Sequence, residues 1–458
     1  MKKAISFIMA AALTAALIPA ASVSAADTDA KDIVVFGDSV SAGITRSGSV
    51  EHTYGDMLAD YYSGTLANYS VSGADSDDLL NTVKSLSAEQ KKAVEDAECV
   101  VISIGGNDII GYMSKYMLNY FAKPNPGNNM KNFLKDGFTA DDIPDDPTFD
   151  QLKEMVDFNS LKSFSKNMIN AIELITQIRG AASQLRYTSG ANEGYIKNHI
   201  IKNISDITAE LKAINPDADI VVQNIYQPLQ LEPAYINSNA ELKSADSVIK
   251  QMRDVLEGIM ATFDSELDKV SGIKKADILN EFTALDEGTK KSDSNPGHAS
   301  YFVDIKAASL TEGDVHPNQK GHLAIASKII DILGDTHTDL GLLSDVYENL
   351  PDKASYPATA FKTYENAAGS CTIGDVNFDG IIDGRDATTV LTDYAKTSAG
   401  QDSALRARQR LTAKVTNDDI IDGRDATFIL TYYAKSSAGT EKGSFADYMK
   451  KKPLINSN

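Results

Sequence analysis

Residues 33–40 read IVVFGDSV: the apolar run Ile33–Phe36, then Gly37, Asp38, Ser39 and Val40. A short apolar run stopped by glycine reads as a buried strand, and this one places a serine just past its end. Further runs of the same kind follow. Leu66–Val71 ends near Gly73, Val100–Ile104 ends at Gly105-Gly106, Asp219–Val222 runs on towards Ile225, and Ala276–Leu279 is expected as a fifth. Helical periodicity fills the intervals. Asp77–Leu86 places Leu79, Leu80 and Val83 on one face, and Leu161–Ile178 and Ala240–Val270 are longer. Ala326, Ile329, Ile330 and Leu333 recur at i, i+3, i+4 and i+7, a helix packing one face on a core. Strands alternating with helices predict an α/β domain whose parallel sheet is covered on both faces. Ligands of such sheets bind beyond the carboxyl ends of the strands.

The rhythm breaks between about Ser114 and Asp157, where Pro124, Pro126, Pro144 and Pro147 fall among Gly, Asn and Asp. This reads as an insertion over the sheet, a surface loop or a shaper of substrate access. From Asp345 to Ser370 the helical pattern fades, with Pro351 and Pro357. A repeat then begins: Ile381–Gly400 reads IIDGRDATTVLTDYAKTSAG and Ile420–Gly439 reads IIDGRDATFILTYYAKSSAG, sixteen of twenty positions identical at an offset of 39. This is a tandem duplication, and two copies suggest a small pseudo-twofold unit. At the other end, Met1-Lys2-Lys3, an apolar run to about Ala21 and Val23-Ser24-Ala25 read as a secretory leader. The run is rich in alanine and ends in small residues, against a membrane anchor. The expected organisation is a leader at 1–25, an α/β domain at 26–345, a linker at 346–370, a small all-α unit at 371–440 and a tail at 441–458.

The net charge of −20 argues against nucleic acid or an anionic membrane surface as a partner. No stretch after the leader is apolar enough to span a membrane, so a soluble, extracellular protein is expected. The two cysteines, Cys99 and Cys371, fall in different candidate domains and exclude a disulfide framework.

The serine at the first strand end does not sit in a G-x-S-x-G elbow, because Ser41 stands where the last glycine belongs. Three other blocks accompany it: Val71-Ser72-Gly73-Ala74, Gly105-Gly106-Asn107-Asp108 and Asp314-Val315-His316-Pro317-Asn318. Acyl transfer needs a nucleophile, a base, oxyanion donors and a group that orients the base. Ser39 can be the first and His316 the second, with the Gly73 N–H, the Asn107 amide and the Ser39 N–H as donors. All of them follow strand ends or precede the last helix, so the fold would bring them to one edge.

In order and spacing the four blocks resemble those of the SGNH (GDSL-type) hydrolases, over roughly residues 31 to 335. The resemblance implies a flavodoxin-like three-layer α/β/α sandwich and hydrolysis of esters and related acyl bonds. It implies Ser39 as nucleophile, Gly73 and Asn107 in the oxyanion hole and His316 as base. The family usually carries an aspartate three residues before the histidine. Here that position is Gly313, and Asp314 lies two before. Either Asp314, with a different turn, or a main-chain carbonyl orients His316. Of the other histidines, His322 suits packing or capping, while His52, His199, His298 and His337 show no ligand spacing and are expected in solvent. Glu281, past the fifth strand, could approach the site.

Asp375, Asn377, Asp379, the carbonyl of Ile381, Asp383 and Asp386 fall at positions 1, 3, 5, 7, 9 and 12 of a calcium loop, with Gly380 at its sharp turn. A calcium loop followed by its exiting helix, duplicated, resembles a type I-like dockerin, over about 371 to 440. Such modules tie enzymes of plant-cell-wall-degrading assemblies to cohesin domains. The resemblance implies structural calcium, and a cohesin contact through Gly384-Arg385, Gly423-Arg424 and the helix faces that follow. The second copy departs from the pattern, with Lys414, Thr416 and Asp419 at positions 1, 3 and 6. Asp418, Asp422, Asp425 and the Ile420 carbonyl stay in register, and whether this loop binds calcium is left open. Together the two resemblances imply a secreted serine esterase removing acetyl or similar groups from plant polysaccharides while anchored to a cellulosome-like scaffold, with no cofactor for catalysis. A lipid esterase or lysophospholipase and an inactive binding subunit are the alternatives. Intact Ser39, Asn107 and His316 count against the last.

Overall fold

The computed structural model describes residues 30–283, 314–350 and 372–451, apart from 46–47, 123–133, 145–150, 152–153, 158–167, 188–193, 229–242, 244–245, 335–339, 402, 417 and 419. The expected leader at 1–25, residues 351–370 of the expected linker, Cys371, His298, His337 and Asp419 lie outside the described residues.

Five strands form one parallel sheet: β1 (Ile33–Gly37), β2 (Leu66–Asn68), β3 (Cys99–Ser103), β4 (Asp219–Gln223) and β5 (Lys274–Ala276), in the order β2-β1-β3-β4-β5. Parallel neighbours need crossovers. These carry α1 (Tyr54–Tyr61), α2 (Ser76–Lys84), α3 (Ala88–Asp96), α4 (Gly106–Ala122), α5 (Met168–Arg186), α6 (Lys202–Ile214) and α7 (Asp246–Leu267), with α8 (Ile278–Thr283), α9 (Gln319–Leu333) and α10 (Gly341–Asn349) after β5.

The pleat sorts the strands onto two cores. Ile33, Val35, Cys99, Val101 and Val221 face one side, with Met57 and Leu58 of α1, Ile329 of α9 and Leu343 of α10. Val34, Phe36, Val100, Ile102, Ile220 and Val222 face the other, with Leu79 of α2, Ile207 of α6 and Phe263 of α7. The result is three layers. The strand order reverses between β1 and β3, which makes the crevice beyond their carboxyl ends the place for a ligand. Ser39 follows β1 and Asn107 follows β3.

Some elements differ from the sequence reading. The fifth strand is Lys274–Ala276, and Ile278 already opens α8. Strand β2 stops at Asn68, but the chain keeps bonding along β1: Tyr69 N–H donates to Val35 O at 2.8 Å and Val71 N–H to Gly37 O at 2.9 Å. Helix α4 runs on to Ala122, into the segment expected as an insertion from Ser114. There Leu118, Leu134, Met155 and Val156 form a small apolar cluster of their own. Helix α10 crosses the expected boundary at 345.

Beyond residue 371 the chain is helical: α11 (Gly384–Ser398), α12 (Ala407–Ala413), α13 (Gly423–Ser437) and α14 (Phe445–Lys450). Val376, Val390, Leu405, Val415, Ile429, Phe445 and Tyr448 share a separate core. Helix α14 therefore packs with this unit, past the tail boundary at 440. The duplication is visible in the caps: Asp383 opens α11 and Asp422 opens α13, each completed by an aspartate three residues on, Asp386 and Asp425. The two parts of the chain touch where the Arg406 guanidinium pairs with both carboxylate oxygens of Asp60.

Candidate active site

The turn after β1 positions the serine. Ala42 N–H donates to Asp38 O, Ile44 N–H to Ser39 O at 3.0 Å, and Val40 N–H to the Asp38 carboxylate at 2.9 Å. Gly37 is required by close approach: a Cβ there would lie 2.3 Å from Ser41 Oγ and 2.5 Å from Ser103 O. Ser39 Oγ stands 2.9 Å from His316 Nε2. His316 Nδ1 stands 2.6 Å from Asp314 Oδ1, which also accepts the His316 main-chain N–H at 3.0 Å. Asp314 thus folds back on its own loop and reaches the ring from two residues away, so the carboxylate, rather than a main-chain carbonyl, is the partner of Nδ1. With Nδ1–H donated to Asp314, Nε2 is the acceptor for the serine hydroxyl. The geometry is that of a serine–histidine–aspartate relay able to activate the hydroxyl and stabilise the imidazolium that forms.

The expected donors lie on neighbouring loops. Gly73 has φ +85°, a left-handed conformation that favours glycine, and no described residue lies within 4 Å of where its Cβ would be. Asn107, in the first turn of α4, donates one amide hydrogen to Ala74 O at 2.8 Å. An amide carries two hydrogens, so the second remains for an oxyanion. Burial pushes the carboxyl of Asp38, beside the serine, up to about 6, although the Val40 N–H and the charge of His316 act the other way.

One residue absent from the sequence reading belongs here. Tyr226, past the end of β4, donates its hydroxyl to Val315 O at 2.6 Å, holding the loop between Asp314 and His316. Its ring packs on Phe282, with centroids 4.9 Å apart. Burial, then the charges of Asp38 and Asp314, hold its hydroxyl well above the ordinary tyrosine value. The only signal in the sequence was its place after a strand end.

The remaining histidines sort by environment. His322 is fully buried, accepts the Tyr54 N–H at Nδ1 (3.1 Å) and stacks on the Tyr54 ring, a packing role. His199, expected in solvent, stacks on Tyr195 and reaches Asp77 at 2.8 Å. The His52 main chain is bonded in both directions by the Gln319 side chain. Glu281 turns to Lys328 of α9 at 3.9 Å, and burial pushes it up to about 7.

In the C-terminal unit the six expected calcium-loop residues are drawn together only in part. Asp386 accepts the N–H groups of Val376, Asn377 and Asp383, and Gly380 N–H donates to Asp375 Oδ2 at 3.0 Å. The Arg385 guanidinium lies 2.8 Å from Asp379 and 2.9 Å from Asp383. Asn377 Nδ2 donates to Asp379, and the Ile381 N–H donates to Asp379 Oδ1. Among the described residues no group of three or more His, Cys, Asp or Glu stands as a ready metal cage. One atom nonetheless fits a cation. Asp375 Oδ1 is buried and has no hydrogen-bond partner among the described residues, and burial together with Asp386 and Asp379 raises its pKa. An oxygen-only donor set of this kind suits a hard cation. In the second loop Asp425 repeats the role of Asp386, accepting from Val415 and Thr416 N–H, and Arg424 bridges Asp418 and Asp422.

The family model for GDSL-like lipases and acylhydrolases matches residues 33–329. Among solved structures, the chain is similar to an extracellular lipase from Streptomyces rimosus (16% identity, 67% of this chain and 99% of that one, TM-score 0.37). It is also similar to phospholipase A1 from Streptomyces albidoflavus NA297 (16%, 59% and 94%, 0.33). A third is the acetylxylan esterase Axe2 from Geobacillus stearothermophilus (12%, 67% and 94%, 0.29). No curated protein matches the chain.

Proposed function

The chain belongs to the GDSL-like lipase/acylhydrolase family and is a serine ester hydrolase, and on that premise we propose that it is a secreted esterase removing acetyl or similar groups from plant cell-wall polysaccharides. The observation that carries the chemistry is the relay from Ser39 through His316 to Asp314. Ser39 attacks the acyl carbon, His316 takes its proton and returns it to the leaving alcohol, and Asp314 holds the ring in the required tautomer. The Gly73 N–H and Asn107 amide receive the oxyanion. Water then releases the acid by the same steps.

The substrate class rests on the C-terminal unit, read as a dockerin that carries the enzyme on a cohesin-bearing scaffold. Two features support this. Exposed apolar residues come in pairs related by the offset of 39: Ile381 and Ile420 (57% and 60% exposed), Leu391 and Leu430 (42% each), Tyr394 and Tyr433 (42% and 43%). A duplicated apolar face of this kind suits a protein partner. The buried Asp375 oxygen, without a hydrogen-bond partner among the described residues, suits calcium. Asp375, Asn377, Asp379, the Ile381 carbonyl, Asp383 and Asp386 would hold the ion, and when bound it supplies a fixed positive centre that neutralises the clustered carboxylates.

One observation favours a second reading, a lipid ester substrate. Val71, Ile110 and Val315 are exposed apolar residues on the three segments that carry Gly73, Asn107 and His316. The two readings separate in one screen of the purified chain against acetylated xylan, acetylated pectin, feruloyl esters and lysophospholipid. Acetate release from a polysaccharide as the fastest reaction supports the first reading. Fatty-acid release from lysophospholipid as the fastest reaction replaces it with the second.

A further inference from the structure

The block Gly105-Gly106-Asn107-Asp108 contains a residue that the relay and its oxyanion donors leave unused. Asp108 is 1% exposed. A carboxylate so deeply buried is tolerated only when it is bonded, and both its oxygens are committed to one residue. Oδ2 accepts the Ser76 N–H at 3.0 Å and Oδ1 accepts the Ser76 hydroxyl at 2.5 Å. Ser76, fully buried, is the first residue of α2, three residues after Gly73. From the far side Asn203 Nδ2 donates to the Ser76 hydroxyl at 3.0 Å and to Asp77 at 2.7 Å, and His199 closes on Asp77.

The adjacent residue completes a clamp. Asn107 binds Ala74 O while Asp108 binds Ser76, so two consecutive side chains of α4 grip the segment 74–76 at both its ends. Gly73, next to that segment, carries no side chain with which to pack, and no described residue lies within 4 Å of where its Cβ would be. The chain that carries its N–H is tied before it, where Val71 N–H donates to Gly37 O and Val71 O accepts the Ala74 N–H, and after it by the grip on 74–76. Oxyanion stabilisation depends on donors fixed before charge develops, with tolerances of a fraction of an ångström.

We infer that Asp108 is a positioning residue of the oxyanion hole, acting through Ser76 to fix the Gly73 N–H relative to the Asn107 amide. The inference rests on the reading of Gly73 and Asn107 as the oxyanion donors. Asp108 touches no reacting atom; it ties the loop of one donor to the helix of the other. Asn203, Asp77 and His199 brace the clamp from the α6 side.

The test uses the full chain with Ser76→Ala, Asp108→Asn and Asn107→Ala, assayed on p-nitrophenyl acetate and with a boronic acid that forms a tetrahedral adduct on the serine. Ser76→Ala and Asp108→Asn should each lower kcat by about tenfold or more with KM within about twofold. Inhibition by the boronic acid should weaken in proportion, because the adduct uses the same donors. A melting curve establishes that each variant is folded. If Asp108→Asn does not fold, Ser76→Ala, which keeps the backbone donor, decides alone. A folded variant with parent-like kcat, or a loss confined to KM, overturns the role of Asp108 if Asn107→Ala is impaired. Parent-like turnover in Asn107→Ala overturns the oxyanion reading itself, and the inference with it.

Discussion

At the scale of single residues, the departure of Gly313-Asp314 from the usual spacing is accommodated by a local fold. One oxygen of Asp314 accepts both the main-chain N–H and the ring of His316. Asp314→Asn should therefore cut kcat by about 10³–10⁴, because the amide can present a hydrogen to Nδ1 and favour the wrong tautomer. A change below about threefold in a steady-state assay would mean that the carboxylate is dispensable. A second residue sets a pH dependence. Burial, and then the charge of His316, lower the His322 pKa from 6.5 to about 3. Below 6.5 the unfolded chain takes up a proton that the folded chain does not, so stability falls as the pH falls towards 3. His322→Asn removes that titration and should flatten the fall in melting temperature between pH 6.5 and 4. An equal slope in parent and variant would assign acid sensitivity to other groups.

At the scale of elements, the strands were legible because burial on both faces makes them continuous apolar runs. Ile33–Gly37 and Cys99–Ser103 fall where Ile33–Phe36 and Val100–Ile104 were expected. The fifth strand was misplaced for a physical reason. It is a sheet edge, and its lysines serve ion pairs: Lys274 with Asp219 at 2.9 Å, Lys275 with Asp264 and Asp268 at 2.7 Å each. Charged residues are usual on edges and erase the apolar signal. The relay residues could be read because each sits in a short block. Tyr226 could not, since it stands in no such block, and Asp108, though it stands in one, bonds Ser76, a partner that the block does not name. Tyr226 holds the segment that delivers His316, and Tyr226→Phe removes the bond to Val315 O while keeping the ring on Phe282. The loss of this one hydrogen bond should lower kcat by about fivefold with KM unchanged. Unchanged kcat would leave Tyr226 a packing residue.

At the scale of the molecule, the chain joins a family hydrolase domain to a duplicated helical unit with its own core, in contact through Arg406 and Asp60. The duplicated loops are unequal: Asp375 in the first is matched by Lys414 in the second. An ammonium where the first carboxylate belongs repels a divalent cation. Calorimetry of the full chain should therefore find one tight calcium site, lost in Asp375→Ala; two comparable sites would contradict the asymmetry. The central claim, that this is a serine hydrolase whose nucleophile is Ser39, is tested most directly by mass spectrometry of the intact chain after reaction with a fluorophosphonate. One adduct per chain, on the peptide containing Ser39, with hydrolysis of p-nitrophenyl acetate lost in step and no labelling of Ser39→Ala, is the result expected. Labelling at another residue, or full activity in Ser39→Ala, would contradict it.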